Sequence, residues 1–219
     1  MRTLQLFTFA AMAVAPLQAQ GNPADPDKKV AGGGELPAGW SAALDRATAN
    51  LADVKFVTMG PGLHVTTGPA VILYRDADAV TGSFHTLATF NQTKAPTHPE
   101  AYGLIVAGKD LKGANRSYIY FIVRGDGKFM INRMEGSTRT VILPWTENAA
   151  LVKQDATTGA ASNMLEIDGK IDPSKISFKA NGKVVHDMPA AGVNLDGVVG
   201  LRINHNLDVH VSGFAVHKM

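Results

Sequence analysis

Cysteine is absent from all 219 positions, so no disulfide staples this chain and its fold must be held by the core alone. Long runs of one charge sign are missing as well. Lys and Arg total 21 against 19 Asp and Glu, a net charge of +2, with the two signs interspersed. That pattern offers no electrostatic footprint for nucleic acid or for an anionic membrane surface. Apolar runs are short: the longest, Leu4 to Val14, falls well below the ~20 residues a membrane-spanning helix needs. No period of roughly 20 to 50 residues recurs, which argues against propellers and solenoids. Gly32-Gly33-Gly34 precedes no strand–helix unit, so no phosphate cradle is built on it.

What is present begins at the N-terminus. Arg2 is the only charge before Asp25, an apolar core follows it, and Leu17-Gln18-Ala19 places a small residue at a cleavage position. This order predicts a signal peptide over residues 1–19, cut after Ala19. The expected mature protein is secreted or periplasmic and lacks an integral membrane segment. Loss of those 19 residues leaves 200, with 20 basic against 19 acidic groups, enough chain for one domain with a sizeable core. An exported chain without cysteine fits a bacterial periplasm or exterior better than a disulfide-rich secretory route. Gln20 to Gly39 is rich in Gly, Pro, Ala and charge and reads as a flexible tether. Residues 40–219 are then the folded domain.

Within that domain, Tyr118 to Met134 (YIYFIVRGDGKFMINRM) is the most telling stretch. Ile119, Phe121 and Val123 alternate with Tyr118, Tyr120, Ile122 and Arg124, and Gly125-Asp126-Gly127 separates two such runs. Period-2 alternation around a Gly-rich turn predicts an antiparallel hairpin. Asn181-Gly182, between two further apolar runs, predicts a second, because a type I′ turn needs positive φ at both central residues. Similar short runs from Val54 to Val216 bring the total to about a dozen strands with little helix. Trp40 to Leu51 has helical spacing and is read as a short helix or an irregular strand. The fold class expected is all-β, two antiparallel sheets packed face to face.

The order of motifs carries a resemblance. G-L-I-V-A-G-K-D (Gly103–Asp110) precedes the hairpin above. After it come N-M-L-E-I (Asn163–Ile167), K-I-S-F-K-A-N-G-K-V-V (Lys175–Val185), G-V-V-G-L-R-I (Gly197–Ile203) and a closing D-V-H-V-S-G-F-A-V. Over roughly Val54 to Val216 this resembles a concanavalin A-like jelly-roll sandwich of the laminin-G-like and glucanase-like kind. It looks most like the bacterial 3-keto-disaccharide hydrolase domains. The resemblance implies carbohydrate as partner, and a hydrolase or lyase on 3-keto-glycosides as the enzyme reading. A laminarinase-type glycosidase on this fold would carry E-x-D-x-E. Here Glu166-Ile167-Asp168 runs into Gly169-Lys170, which reads as surface acids at a strand end, so a glucanase mechanism is not expected.

Candidate ligand-binding residues follow from aromatic and polar side chains sharing strand faces. Tyr118, Tyr120 and Arg124, with His85 on a neighbouring strand, suit a sugar on a concave sheet: rings cover C–H patches and polar groups take hydroxyls. Trp145 after its strand is read as a core plug or a stacking platform. If the last two strands pair through a turn at His205-Asn206, Arg202, Asn204, Asp208 and His210 gather on one surface that would take a sugar or a hard cation. For an enzyme, His98 and Glu100 in a proline-marked loop, together with His210, are the candidate acids and bases. Seven histidines invite a metal reading, but no His-x-His or second close ligand pair supports zinc. Calcium is the cofactor candidate, through Arg75-Asp76-Ala77-Asp78 or Lys109-Asp110-Leu111, although neither has the density of a dedicated loop. The remaining reading is a structural envelope or adhesion domain that neither binds nor turns over a ligand.

Overall fold

The computed structural model describes residues 25–219. The signal peptide expected over residues 1–19, and residues 20–24 of the expected tether, lie outside them. In chain order the strands are β1 (Ser41–Leu44), β2 (Val54–Met59), β3 (Gly62–Thr67), β4 (Val71–Val80), β5 (Phe84–Gln92), β6 (Ala101–Lys109) and β7 (Ser117–Arg124). They continue as β8 (Lys128–Glu135), β9 (Thr138–Glu147), β10 (Ala161–Gly169), β11 (Lys175–Ala180), β12 (Lys183–Pro189), β13 (Gly197–Ile203) and β14 (Asp208–Lys218). Among the described residues there is one 3-10 turn, Leu51–Asp53, and no α-helix.

The strands form two antiparallel seven-stranded sheets. The first runs β1-β4-β13-β6-β7-β8-β9 and the second β12-β11-β10-β5-β14-β3-β2. This is the two-sheet jelly roll that the alternating pattern calls for. Inward residues of both sheets make the core: Phe84, Phe90, Tyr102, Phe121, Phe129 and Phe178 are all buried there. Strand β5 shows the rule at its simplest. Phe84, Thr86, Ala88, Phe90 and Gln92 are buried, and His85, Leu87, Thr89 and Asn91 between them face outward and are half-exposed. Strand β7 breaks the rule, since six consecutive residues, Tyr118–Val123, are buried. Its outward side chains belong to a second apolar cluster with Ile72, Ile105, Met130 and Met134.

The Asn181-Gly182 turn forms as read, with φ of 52° and 76°. Trp40 to Leu51 follows its strand alternative: β1 pairs with β4, and the Trp40 ring packs 5.5 Å from Phe214. Two expectations change. Arg75 to Asp78 is not a loop but part of β4, and Arg75 Nε donates to Asp78 Oδ2 at 2.5 Å, so Asp78 is spent within the strand. Asp110 Oδ2 accepts from the Asn115 amide at 3.1 Å in the turn after β6, which uses that carboxylate as a turn former.

The described part of the expected tether is bound to the sandwich. Gly33 bridges Lys55 in parallel, the Lys28 amide donates to Asn206 Oδ1 at 2.8 Å, and Asp25 is buried. The presumed β13–β14 hairpin is absent. Strand β13 lies between β4 and β6 of the first sheet, and β14 lies between β5 and β3 of the second. Residues 204–207 therefore cross from one sheet to the other. Asn206 takes the left-handed conformation there, φ 56°, and the Thr67 hydroxyl donates to Asn204 O at 2.7 Å.

Candidate functional site

The residues expected to share one surface fall in three places. The first is the outward face of the first sheet. Tyr118 and Tyr120 are only 2% and 4% exposed, with rings tilted 5.7 Å apart. Arg202 lies over Tyr120, its Cζ 5.1 Å from the ring centroid. Its Nη1 donates to Tyr118 Oη at 3.2 Å and to Asp45 Oδ1 at 2.8 Å, and Nη2 closes a bidentate pair with Asp45. Burial works against ionisation of Asp45, but Arg202 beside it holds its carboxyl below the usual range. The same enclosure pushes the Tyr118 hydroxyl up to about 12. Asn132 Nδ2 donates to Tyr120 Oη at 2.8 Å. Rings and guanidinium fill one another's space, so this face is a packed polar–aromatic cluster rather than an open platform. Arg124 stands apart from it, held by Asp126 at 3.0 and 2.6 Å and lying 4.2 Å from the Trp145 centroid. Trp145, half-buried, packs against that same apolar cluster.

The second place is the outward face of the second sheet, which is half-exposed along β5, β10 and the start of β14. Antiparallel register puts Asp168, His85 and His217 in one row across β10, β5 and β14. His85 Nδ1 lies 2.7 Å from Asp168 Oδ1, and His85 Nε2 lies 3.7 Å from Glu166 Oε2. Lys179 Nζ, from β11, reaches Asp168 Oδ2 at 2.5 Å, and His217 stacks on His85 at 5.9 Å. Burial raises the Asp168 pKa, but Lys179 and His85 outweigh it and hold the carboxyl below its ordinary value. Glu166 Oε1 is buried without a partner.

Six residues further along β5, a second row joins Asn91, His210 and His64, about 20 Å away at ~3.3 Å per residue. His64 Nε2 lies 2.9 Å from Asp208 Oδ1, and Lys94 Nζ lies 3.1 Å from Asp208 Oδ2. The His64 and His210 rings stack at 6.3 Å. The Glu166–Asp168 pair, read as incidental, is thus central to a constellation. Strand parity alone could have placed both carboxylates on the outward face. His85 was expected beside the tyrosines, and it lies on the opposite sheet because β5 and β7 belong to different layers.

The third place is the end of the sandwich where the chain crosses between sheets. Asn204 Nδ2 donates to Glu100 Oε2 at 3.2 Å, and His205 Nε2 lies 2.8 Å from Glu100 Oε1. His205 Nδ1 faces Asp27 Oδ1 at 3.2 Å, and Nε2 faces Asp25 Oδ2 at 3.8 Å. The bond to Glu100 leads in raising the His205 pKa, against the effect of burial. Asp25, Glu100 and His205 bring three possible metal-ligating atoms within 4.8 Å of one another. His98 makes no hydrogen bond or ion pair among the described residues, and the three candidate bases His98, Glu100 and His210 are not brought together.

No family model matches the chain, and no curated protein matches it by sequence. Solved structures do. A carbohydrate-binding module, CBM66 from Bacillus subtilis, superposes with a TM-score of 0.58 at 13% identity, over 82% of this chain and 96% of the module. A Bacillus licheniformis β-glucanase gives 0.55 at 10% identity, over 84% and 94%. The metal-free carbohydrate recognition domain of Emp46p gives 0.55 at 9% identity, over 82% and 88%. Identities this low speak to architecture, and on that ground the chain has the concanavalin A-like jelly-roll fold of lectin and glucanase domains.

Proposed function

We propose that this protein recognises a carbohydrate on the outward face of its second sheet, centred on His85, Glu166, Asp168 and Lys179. The observation that carries the proposal is the His85–Asp168–Glu166 cluster, half-exposed at the ends of the central strands β5 and β10 with one carboxylate oxygen unpartnered. Sugar hydroxyls both donate and accept, and here carboxylates accept while an ammonium and an imidazole donate. The neighbours on the same fold include a carbohydrate-binding module and a carbohydrate recognition domain, which supports the class of ligand. The Tyr118–Tyr120 face is filled by its own side chains, which moves the site away from it.

Titration calorimetry against polysaccharides, disaccharides and 3-keto-sugars tests this. One sugar class should bind, and Asp168→Asn or His85→Ala should weaken it at least tenfold, about 1.4 kcal/mol. Affinity unchanged in both variants would remove the site. A second reading, a hydrolase or lyase on 3-keto-glycosides, is favoured by the same His–Asp pair. A ketone acidifies the neighbouring C–H, so a single well-placed base suffices. In that case a 3-keto-disaccharide is turned over by the wild type and not by His85→Ala. Glu100 is committed to Asn204 and His205, whereas Asp168 orients the His85 ring through Nδ1 at 2.7 Å, which makes His85 the better-placed base.

A further inference from the structure

The geometry points to a divalent-cation site at the crossing between the sheets, formed by Asp25 Oδ2, Glu100 Oε1 and His205 Nε2. These three atoms converge from chain segments far apart in sequence. Glu100 Oε1 is 2.8 Å and Asp25 Oδ2 3.8 Å from His205 Nε2. Ligands ~2.1 Å from one ion sit roughly 3 to 3.5 Å apart in a tetrahedral arrangement, so small side-chain movements bring all three onto one centre.

Two further features separate this cluster from an ordinary group of surface acids. Asp25 is 6% exposed, yet its Oδ2 is buried with no hydrogen-bond partner. A buried carboxylate oxygen left unmatched is costly, and this one is aimed into the cluster. Each of the three residues also has its other polar atom anchored. Asp25 Oδ1 accepts from Asn206 Nδ2 at 3.1 Å, Glu100 Oε2 accepts from Asn204 Nδ2 at 3.2 Å, and His205 Nδ1 faces Asp27 Oδ1 at 3.2 Å. Asp27 is itself paired with Arg46. Outer partners of this kind orient metal ligands, and the carboxylate on Nδ1 directs the lone pair of Nε2 toward the ion. Three carboxylates meet one imidazole and one guanidinium here, so the cluster carries surplus negative charge even with His205 protonated. A cation taking the place of the proton between His205 and Glu100 relieves that surplus, and the proton leaves to solvent.

The donor set selects the class of ion. Calcium favours six to eight oxygens, whereas one imidazole with two carboxylates suits zinc or manganese, with water completing the coordination. The bound ion ties residues 25–29 to the start of β6 and to the β13–β14 crossing.

The test uses the full chain stripped with chelator, then melted with zinc, manganese, calcium or magnesium, with metal content read by mass spectrometry. Zinc or manganese at ~100 times its dissociation constant should raise the midpoint by ~5–10 °C, with about one ion retained per chain. Asp25→Asn and Glu100→Gln should melt close to the stripped wild type and lose that shift. An equal shift in both variants would place the ion elsewhere, at the His64–His210 row for instance, and overturn the proposal. No shift and no retained metal would leave the cluster a set of ion pairs. If Asp25→Asn does not fold, Glu100→Gln and the wild-type metal content still decide the matter.

Discussion

Arg202 is a charged residue in a place that normally takes an apolar one, the outward side of a central strand, only 8% exposed. Its charge is tolerated because Asp45 answers it twice and Tyr118 and Tyr120 enclose it. Breaking such a pair by removing one partner costs about 3–5 kcal/mol, since the survivor is buried uncompensated. Asp45→Asn is therefore expected to lower stability by about 3 kcal/mol in urea melts, and Arg202→Met made in the Asp45→Asn background should recover most of it. Asp168 and Asp208 give the molecule an acid-side weakness. Burial raises the pKa of each, but Lys179 with His85, and Thr93 with Lys94, outweigh it and leave both depressed. A depressed carboxylate adds stability that is fully present above its unfolded value, ~3.9, and is lost as pH falls through the folded value. Tryptophan fluorescence should show stability falling below about pH 4, with a shallower fall in Asp168→Asn.

At the level of elements, parity within a strand was readable and layer membership was not. The alternation of Ile119, Phe121 and Val123 with Tyr118, Tyr120 and Ile122 assigns each side chain a face, and the structure keeps every one. The Asn181-Gly182 hairpin was equally plain, because its chemistry is local. A Cβ on Gly182 would meet nothing within 4 Å, so Gly182→Ala should cost only its positive φ, about 1–2 kcal/mol, a drop of a few degrees in melting temperature. Nothing local reveals that β13 and β14, separated by four residues, lie in different sheets. That one crossing scatters the expected Arg202–Asn204–Asp208–His210 surface. The Asp25–Glu100–His205 group was out of reach for a related reason: Asp25 and His205 are 180 positions apart, and their meeting is a property of the closed sandwich.

For the molecule as a whole, the position of β14 matters more than its length. It is the final strand of the chain, yet it sits inside the second sheet, with β5 on one side and the β2–β3 hairpin on the other. The segment holding Asp25 to Lys28 docks on the crossing just ahead of it, 178 residues away at the Lys28–Asn206 bond. A chain emerging from the ribosome N-terminus first thus exposes residues 25–28 long before their seat at Asn206 exists. Until residue 208 and those after it arrive, β2 and β3 have no sheet to join, and half of the sandwich has a gap at its middle. The second sheet therefore closes late: its middle strand is supplied by residues 208–218, after every one of its neighbours has already been made.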